Sequence, residues 1–257
     1  MQTLFAMRLW GTVRPVEGRR ARLRAHLLGE IRAAALSELR RVGAAQLSLR
    51  EVARAAGISP SGLYRYVDGR DALLELLIAD GFESLGADIE SAIEAAGDDP
   101  VARMEAIALT YRRWALANPD QFGLILGTPV PGFRARDDGP TVEGVRRFAE
   151  PMIRVVAGEH AARAGSPTSD DAGAIDISLY DPVSSDLPES FVVVIIRAWG
   201  RIHGLVALET FGHLRWTGAD VESLLAAEVA SVAAELGVAR TALTEAGRRA
   251  KAGSRGD

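Results

Sequence analysis

Apolar residues recur along this chain at intervals of three and four, so nearly every segment that can be assigned follows the helical period. From Gly18 onward, Leu23, Leu27, Ile31, Leu39 and Val42 form a stripe that Gly43 ends, predicting a long amphipathic first helix. In SLREVARAAGISPSGLYRYVDGR, residues 48–70, the spacing of Leu49, Val52, Ala53 and Ala56 gives a second, shorter buried face. Ser48 and Glu51 have the spacing of a capping box, and Gly57 stands where the chain must reverse. Ser59 before Pro60 restarts a helix, a side-chain cap followed by a residue that needs no N–H. Leu63 and Val67 then face inward, which leaves Ser61, Tyr64, Arg65 and Tyr66 outside. The pattern predicts two short helices joined by a tight turn.

After Arg70 the period runs on through Leu73, Leu74, Leu77, Ile78, Phe82, Leu85, Ile89 and Ile93. That is roughly 24 residues, or about 36 Å of helix, long enough to connect a small head to a larger body. Helices follow from Pro100 to Ala117, stopped by Asn118-Pro119, and within DQFGLILG; a Pro/Gly-rich loop then leads to a helix over 141–163. That helix is expected to turn Val142, Val145, Phe148, Met152, Val155 and Val156 inward. Residues 164–189 carry six Asp or Glu and no Lys or Arg. They read as a flexible acidic loop, although Ile175, Ile177 and Leu179 alternate as a strand-like lid would. The segment from 190 through Trp216 is helical and apolar on more than one face, which calls for a partner. A last helix opens at Thr217 with Val221, Leu224, Leu225, Val229, Val232 and Leu236 in period. No strand pair and no fixed repeat appear, so the expected class is all-α.

Charge sharpens this picture. Residues 1–70 hold 13 Arg and five Asp or Glu, a balance of +8, whereas the remainder is at −12. A basic head on an acidic body is the electrostatic footprint of a nucleic-acid-binding domain. Arg19, Arg20, Arg22 and Arg24 cluster at the start of the first helix, within reach of phosphates. The 257 residues include no cysteine, which excludes disulfides, thiolate metal sites and cysteine nucleophiles. None of the four histidines falls in H-E-x-x-H, and no G-x-S-x-G, P-loop or G-x-G-x-x-G occurs. No catalytic residue, metal ligand or cofactor is therefore assigned. Without a convincing signal peptide or a membrane-length apolar run, a cytoplasmic protein is expected.

The stretch 48–70 resembles the helix-turn-helix of the TetR family of bacterial repressors, carried by Ala53, Ala56, Gly57, Ile58, Ser59, Leu63, Tyr64, Tyr66 and Arg70. It departs at Val67, where the family has Phe, at Asp68-Gly69, where it has a Pro-Ser type turn, and at Arg70, where it has Lys. Asp68 is still expected to cap the next helix. The resemblance implies a recognition helix of about ten residues with Ser61 and Tyr64 reading bases. Pro60 and Gly62 would approach the DNA closely, with Ser59 at the same helix start. Arg65, Tyr66, Arg70 and Ser48 would hold phosphates, although Tyr66 also suits core packing. The domains expected are a mobile tail 1–17, the DNA-binding head 18–70, a ligand-binding and dimerisation body 71–247, and a tail 248–257.

The body resembles a family branch with a W-x-x-x-H-G signature, here Trp199, His203 and Gly204. The likeness implies a homodimer formed by the last two helices and an inverted-repeat operator in double-stranded DNA. It also implies release by a small apolar or amphipathic effector, the alternative being a ligand-independent regulator acting through protein contacts. Pocket candidates are Tyr111, Trp114, Phe122, Phe148, Met152, Trp199 and His203. His203 reads first as a hydrogen-bonded core histidine, with a polar contact in the pocket as the sharper alternative.

Overall fold

A computed structural model describes residues 18–127, 129–136, 139–162 and 189–238. The two tails and nearly all of the acidic segment 164–189 lie outside the described residues. Among those described there are nine α-helices and no strand.

The head is built from α1 (Arg19–Val42), α2 (Leu49–Ala55) and α3 (Pro60–Leu63), with a 3-10 turn at Ala44–Gln46. Ile31, Ala35, Leu39, Val52, Ala53, Leu63 and Val67 pack together, each no more than 3% exposed. Leu23 was expected in this stripe but is 58% exposed, because it lies on the first turns of α1, beyond the packed residues of α2 and α3. Gly57 takes φ +68 between α2 and α3, a conformation that only a residue without Cβ adopts cheaply.

The body begins with α4 (Gly69–Ala95), which continues the core of the head into that of the body through Leu73, Leu74, Leu77, Phe82, Leu85 and Ile89. Helices α5 (Pro100–Ala117), α6 (Pro119–Leu126) and α7 (Pro140–Ala162) wrap around it, and α8 (Glu189–Thr210) and α9 (Val221–Glu235) close the far side. Asp99 caps α5 through the N–H of Val101, and Asp220 caps α9 through those of Glu222 and Ser223. Helix α8 ends earlier than its apolar run suggests. Residues 211–218 form turns, with Gly212 at φ +78.

The most extensive helix pairing in the body is between α4 and α7. A Cβ at Gly144 would meet Ala79 Cα and Phe82 Cβ at 3.2 Å, and one at Gly86 would meet the carbonyl oxygen of Arg147 at 3.1 Å. Pro151 lies inside α7 and has no N–H to offer that same carbonyl, its i−4 partner. Val142, expected inward, is 44% exposed, because the α4-facing side of α7 is taken by Gly144, Phe148, Pro151 and Val155; Val145, 42% exposed, borders the body cavity.

Candidate nucleic-acid interface and ligand cavity

In the head, local chemistry fixes the orientation of α3. Ser59 Oγ accepts from the N–H of Gly62 at 3.1 Å and hydrogen-bonds the Ser61 hydroxyl at 3.1 Å, with Pro60 at the first helical position. Leu63 and Val67, 1% and 3% exposed, hold the inner side. Ser61, Tyr64 and Arg65 consequently project outward, Tyr64 with 59% of its surface exposed. The coil is shorter than the ten residues expected. Four residues are helical, and turn bonds from Arg65 N–H to Gly62 O and from Tyr66 and Val67 N–H to Leu63 O carry it to Val67. There the chain turns through Asp68 and Gly69 (φ +95) into α4.

The basic start of α1 lies against this element, since the guanidinium of Arg24 sits 5.8 Å over the Tyr66 ring, within cation–π range. Tyr66 is half-buried, packed on the core as well as facing Arg24. Arg19, Arg22 and Arg24 are exposed; the side chain of Arg20 lies outside the described set.

Three expectations at this site need correction. Ser48 occupies the N-cap position of α2, but its hydroxyl makes no cap bond, and Glu51 pairs with Arg54 at 2.9 Å rather than reaching back. Asp68 stands at the N-cap of α4 without a side-chain cap bond. Arg70 does not stand free for phosphate. Its Nη2 donates to the carbonyl oxygens of Ala44 (2.8 Å) and Ala45 (3.2 Å), tying the root of α4 to the 3-10 turn. Asp71 lies 3.7 Å from its Nη1.

In the body, a cavity of about 540 Å³ opens among α4 to α9. Tyr111, Phe148, Met152 and Trp199 line it, as expected, but Trp114, Phe122 and His203 do not. Trp114 turns toward α4 and donates from Nε1 to Ser84 Oγ at 3.2 Å. Phe122 is wholly buried and packs edge-on against Tyr111 with ring centres 5.8 Å apart. His203 stands behind the wall. Its Nδ1 shares a 2.7 Å hydrogen bond with the Tyr111 hydroxyl, and its ring stacks on Trp199 at 5.3 Å and 17°.

Burial pushes the His203 pKa down and the Tyr111 pKa up, so both remain neutral around pH 7. Among the described lining residues, Tyr111 and Trp199 alone supply side-chain nitrogen or oxygen atoms. Residues that sequence reasoning missed include Met104, Ile107, Val194, Ile202 and Val229, aliphatic positions whose pattern matches ordinary core.

Ion pairs brace the helices around the cavity. Arg112 on α5 holds Glu209 on α8 through two bonds of 2.7 Å, a fork-to-carboxylate geometry. Glu75 on α4, 3% exposed, accepts from the backbone N–H of Arg136 at 3.0 Å and from its guanidinium at 2.8–3.2 Å. Burial pushes the Glu75 carboxyl pKa upward, and the Arg136 bonds outweigh that, leaving it below its ordinary value. No cluster among the described residues has the donors for a metal ion.

Two family models match this chain. Residues 31–86 match bacterial regulatory proteins of the tetR family, and residues 104–232 match the tetracyclin repressor-like C-terminal domain. The chain belongs to the TetR family. Its members are DNA-binding transcriptional regulators rather than enzymes, and the helix-turn-helix described above is their DNA-binding element. The chain is 34% identical over 195 residues to the HTH-type transcriptional regulator Rv1816 of Mycobacterium tuberculosis (strain ATCC 25618 / H37Rv), covering 70% of this chain and 77% of that protein. Among solved structures, the putative regulatory protein SCO4313 aligns with TM-score 0.67 and 32% identity over 82% of this chain and 97% of that one. A protein of unknown function from Rhodococcus sp. RHA1 aligns with TM-score 0.62 and 27% identity over 83% and 96%. As a TetR-family regulator, the chain combines a DNA-binding head with a helical body that holds a cavity.

Proposed function

We propose that this TetR-family protein is a repressor that binds an inverted-repeat operator as a homodimer and leaves it when a small apolar or amphipathic molecule fills the body cavity. The observation that carries the DNA-binding half is the outward face of α3. Ser61, Tyr64 and Arg65 project from a footing fixed by Leu63, Val67 and the Ser59 cap, beside the basic start of α1. Side chains held this way suit base edges, while Arg65, Arg24 and Arg22 suit phosphates.

A dimer is supported by the outer face of α8. Gly200, Gly204 and Leu208 recur every four residues, and Leu208 is 43% exposed; Ile196, one turn earlier, is 36% exposed and also borders the cavity. Among the described residues, nothing lies within 4 Å of where a Cβ would stand at either glycine. Such a strip admits a second helix at close range, and Leu224 on α9, 41% exposed, extends it. Two heads on one dimer would read two half-sites.

Release is supported by continuity between cavity and head. Phe82, in the cavity wall, belongs to the same helix whose first turn is tied by Arg70 to the 3-10 turn. A ligand acts only through its differential affinity for the two arrangements of the heads.

The test is retardation of a fragment from upstream of the protein's own gene across a salt series. Binding at a palindrome with log affinity falling linearly in log salt supports the reading. Absent or salt-insensitive binding refutes it.

A further inference from the structure

We propose that the body cavity takes an uncharged, hydrocarbon-rich molecule and discriminates against carboxylates and other ions of the same chain length. This rests on the effector-cavity reading and narrows it. At about 540 Å³, and ~30 Å³ for each water-sized group, the space holds about 18 non-hydrogen atoms.

Among the described residues, no charged side chain lines the wall. Its polar atoms are the Tyr111 hydroxyl and the Trp199 indole nitrogen. The hydroxyl is already bonded to His203 Nδ1; when it donates that bond it can still accept from an alcohol O–H, and when Nδ1 carries the proton it can donate to an alcohol or a carbonyl oxygen. Several described cations on the helices around the cavity are met by carboxylates, whereas Arg113 on α5 donates to the Thr110 hydroxyl. Arg201 on α8 lies between Glu228 (3.3 Å) and Glu235 (2.9 Å) of α9. Its Nη2 makes no hydrogen bond, yet two carboxylates to one guanidinium leave that cluster net negative. Arg112 on α5 meets Glu209 and Glu222; on α7, Arg147 meets Glu83 and Glu143, and Arg154 meets Glu90. On α4, Asp80 pairs with Arg32 and Glu75 with Arg136. His203 is neutral. Among the described residues, an incoming carboxylate therefore finds carboxylates around the cavity and no cation in its wall.

Buried without a counter-charge, a carboxylic acid enters in its neutral form. With an ordinary carboxyl pKa of ~4.3, about one molecule in 500 is neutral at pH 7, which sets the expected penalty against an alcohol of equal chain. The aromatic rings offer a cation a face to bind, so a cationic probe belongs in the test.

The experiment titrates the full-length protein calorimetrically with 1-decanol, decanoate and decyltrimethylammonium, below their micellar concentrations, at pH 5.5, 6.5 and 7.5. Decanol is expected to bind with pH-independent affinity. Decanoate should bind at least about a hundredfold more weakly at pH 7.5 and gain about tenfold per unit as the pH falls; the ammonium should not bind. Met152→Lys, which places a cation in the wall, should raise decanoate affinity at pH 7.5. Ala149→Phe, which fills the space, should abolish decanol binding.

If decanoate or the ammonium matches decanol at pH 7.5, the proposed ligand class is wrong while the effector cavity stands. If none of the three binds, both fall. Decanol binding that survives in folded Ala149→Phe places the alcohol elsewhere and also overturns the proposal.

Discussion

Removing the Arg136 side chain from the buried Glu75 carboxylate should change not only the stability of the protein but the sign of its pH dependence. Arg136→Ala keeps the backbone N–H bond of 3.0 Å and loses the guanidinium bonds of 2.8–3.2 Å. Charge-assisted bonds of this kind are worth about 1.5–3 kcal/mol. The Arg136 side chain is 67% exposed, so solvent screening places the loss toward the low end, about 1.5–2 kcal/mol at pH 7.5. For a chain of this size that corresponds to roughly 3–8 °C in Tm.

In the wild type the folded Glu75 pKa lies below its unfolded value. Its contribution is therefore fully present above about pH 4.3 and is lost only as the pH falls through the folded pKa. In Arg136→Ala burial dominates and raises the folded pKa above the unfolded one. The buried charge then destabilises at neutral pH, and that penalty disappears as the pH falls. Urea unfolding of both proteins at pH 5.0, 6.0 and 7.5 should show the gap between them narrowing toward acid. A double variant, Glu75→Met with Arg136→Met, should recover much of the loss, because no uncompensated charge stays buried. A gap that is constant or widens toward pH 5 would refute the reasoning.

Other outcomes are expected from the same geometry. Ser59→Ala removes the cap on the Gly62 N–H and should cost about 1 kcal/mol in thermal unfolding. Tyr64→Ala should reduce discrimination between operator and mismatched sites by tenfold or more, whereas Arg65→Ala should weaken all sequences alike and lower the salt slope by about one; a competition assay over a salt series separates the two. Gly86→Ala presses a methyl toward the Arg147 carbonyl oxygen, 3.1 Å away, and should destabilise by about 1–3 kcal/mol; an unchanged urea midpoint would mean that α4 and α7 are looser than described.

Features set by a few neighbouring residues were legible in the sequence. Gly57 and the Ser59-Pro60 start were readable because a reversal and a helix start each depend on one or two residues, and Asn118-Pro119 marked the end of α5 for the same reason. The Ser48–Glu51 pairing failed because Arg54, one turn on, offers Glu51 a charged partner where Ser48 offers a backbone N–H. Arg70 kept the family's charge, but its use depends on Ala44 and Ala45, brought near only by tertiary folding. Periodicity placed Tyr111, Trp114 and Phe122 in the body core and could not separate cavity wall from filled interior. That distinction depends on how α6, α7 and α8 pack around them. The burial of Glu75 was invisible, since one carboxylate on a helix reads as surface until Arg136 arrives from a loop 61 residues away.

The contact between Gly86 and the Arg147 carbonyl has a mechanical consequence. With Pro151 unable to close that turn of α7 and no Cβ on α4, the two helices meet backbone to backbone. A side-chain seam absorbs displacement by changing rotamers; at this one point of the seam there are none to change, although the Phe82–Phe148 and Glu83–Arg147 pairs lie along it. Phe82 and Phe148, 5.6 Å apart, stand beside the contact and face the cavity, so a guest that pushes on either ring loads a joint without backlash. Motion of α7 then passes to α4 as a slide or a roll of the whole rod, about 40 Å long for its 27 residues, whose far end sits under the recognition element.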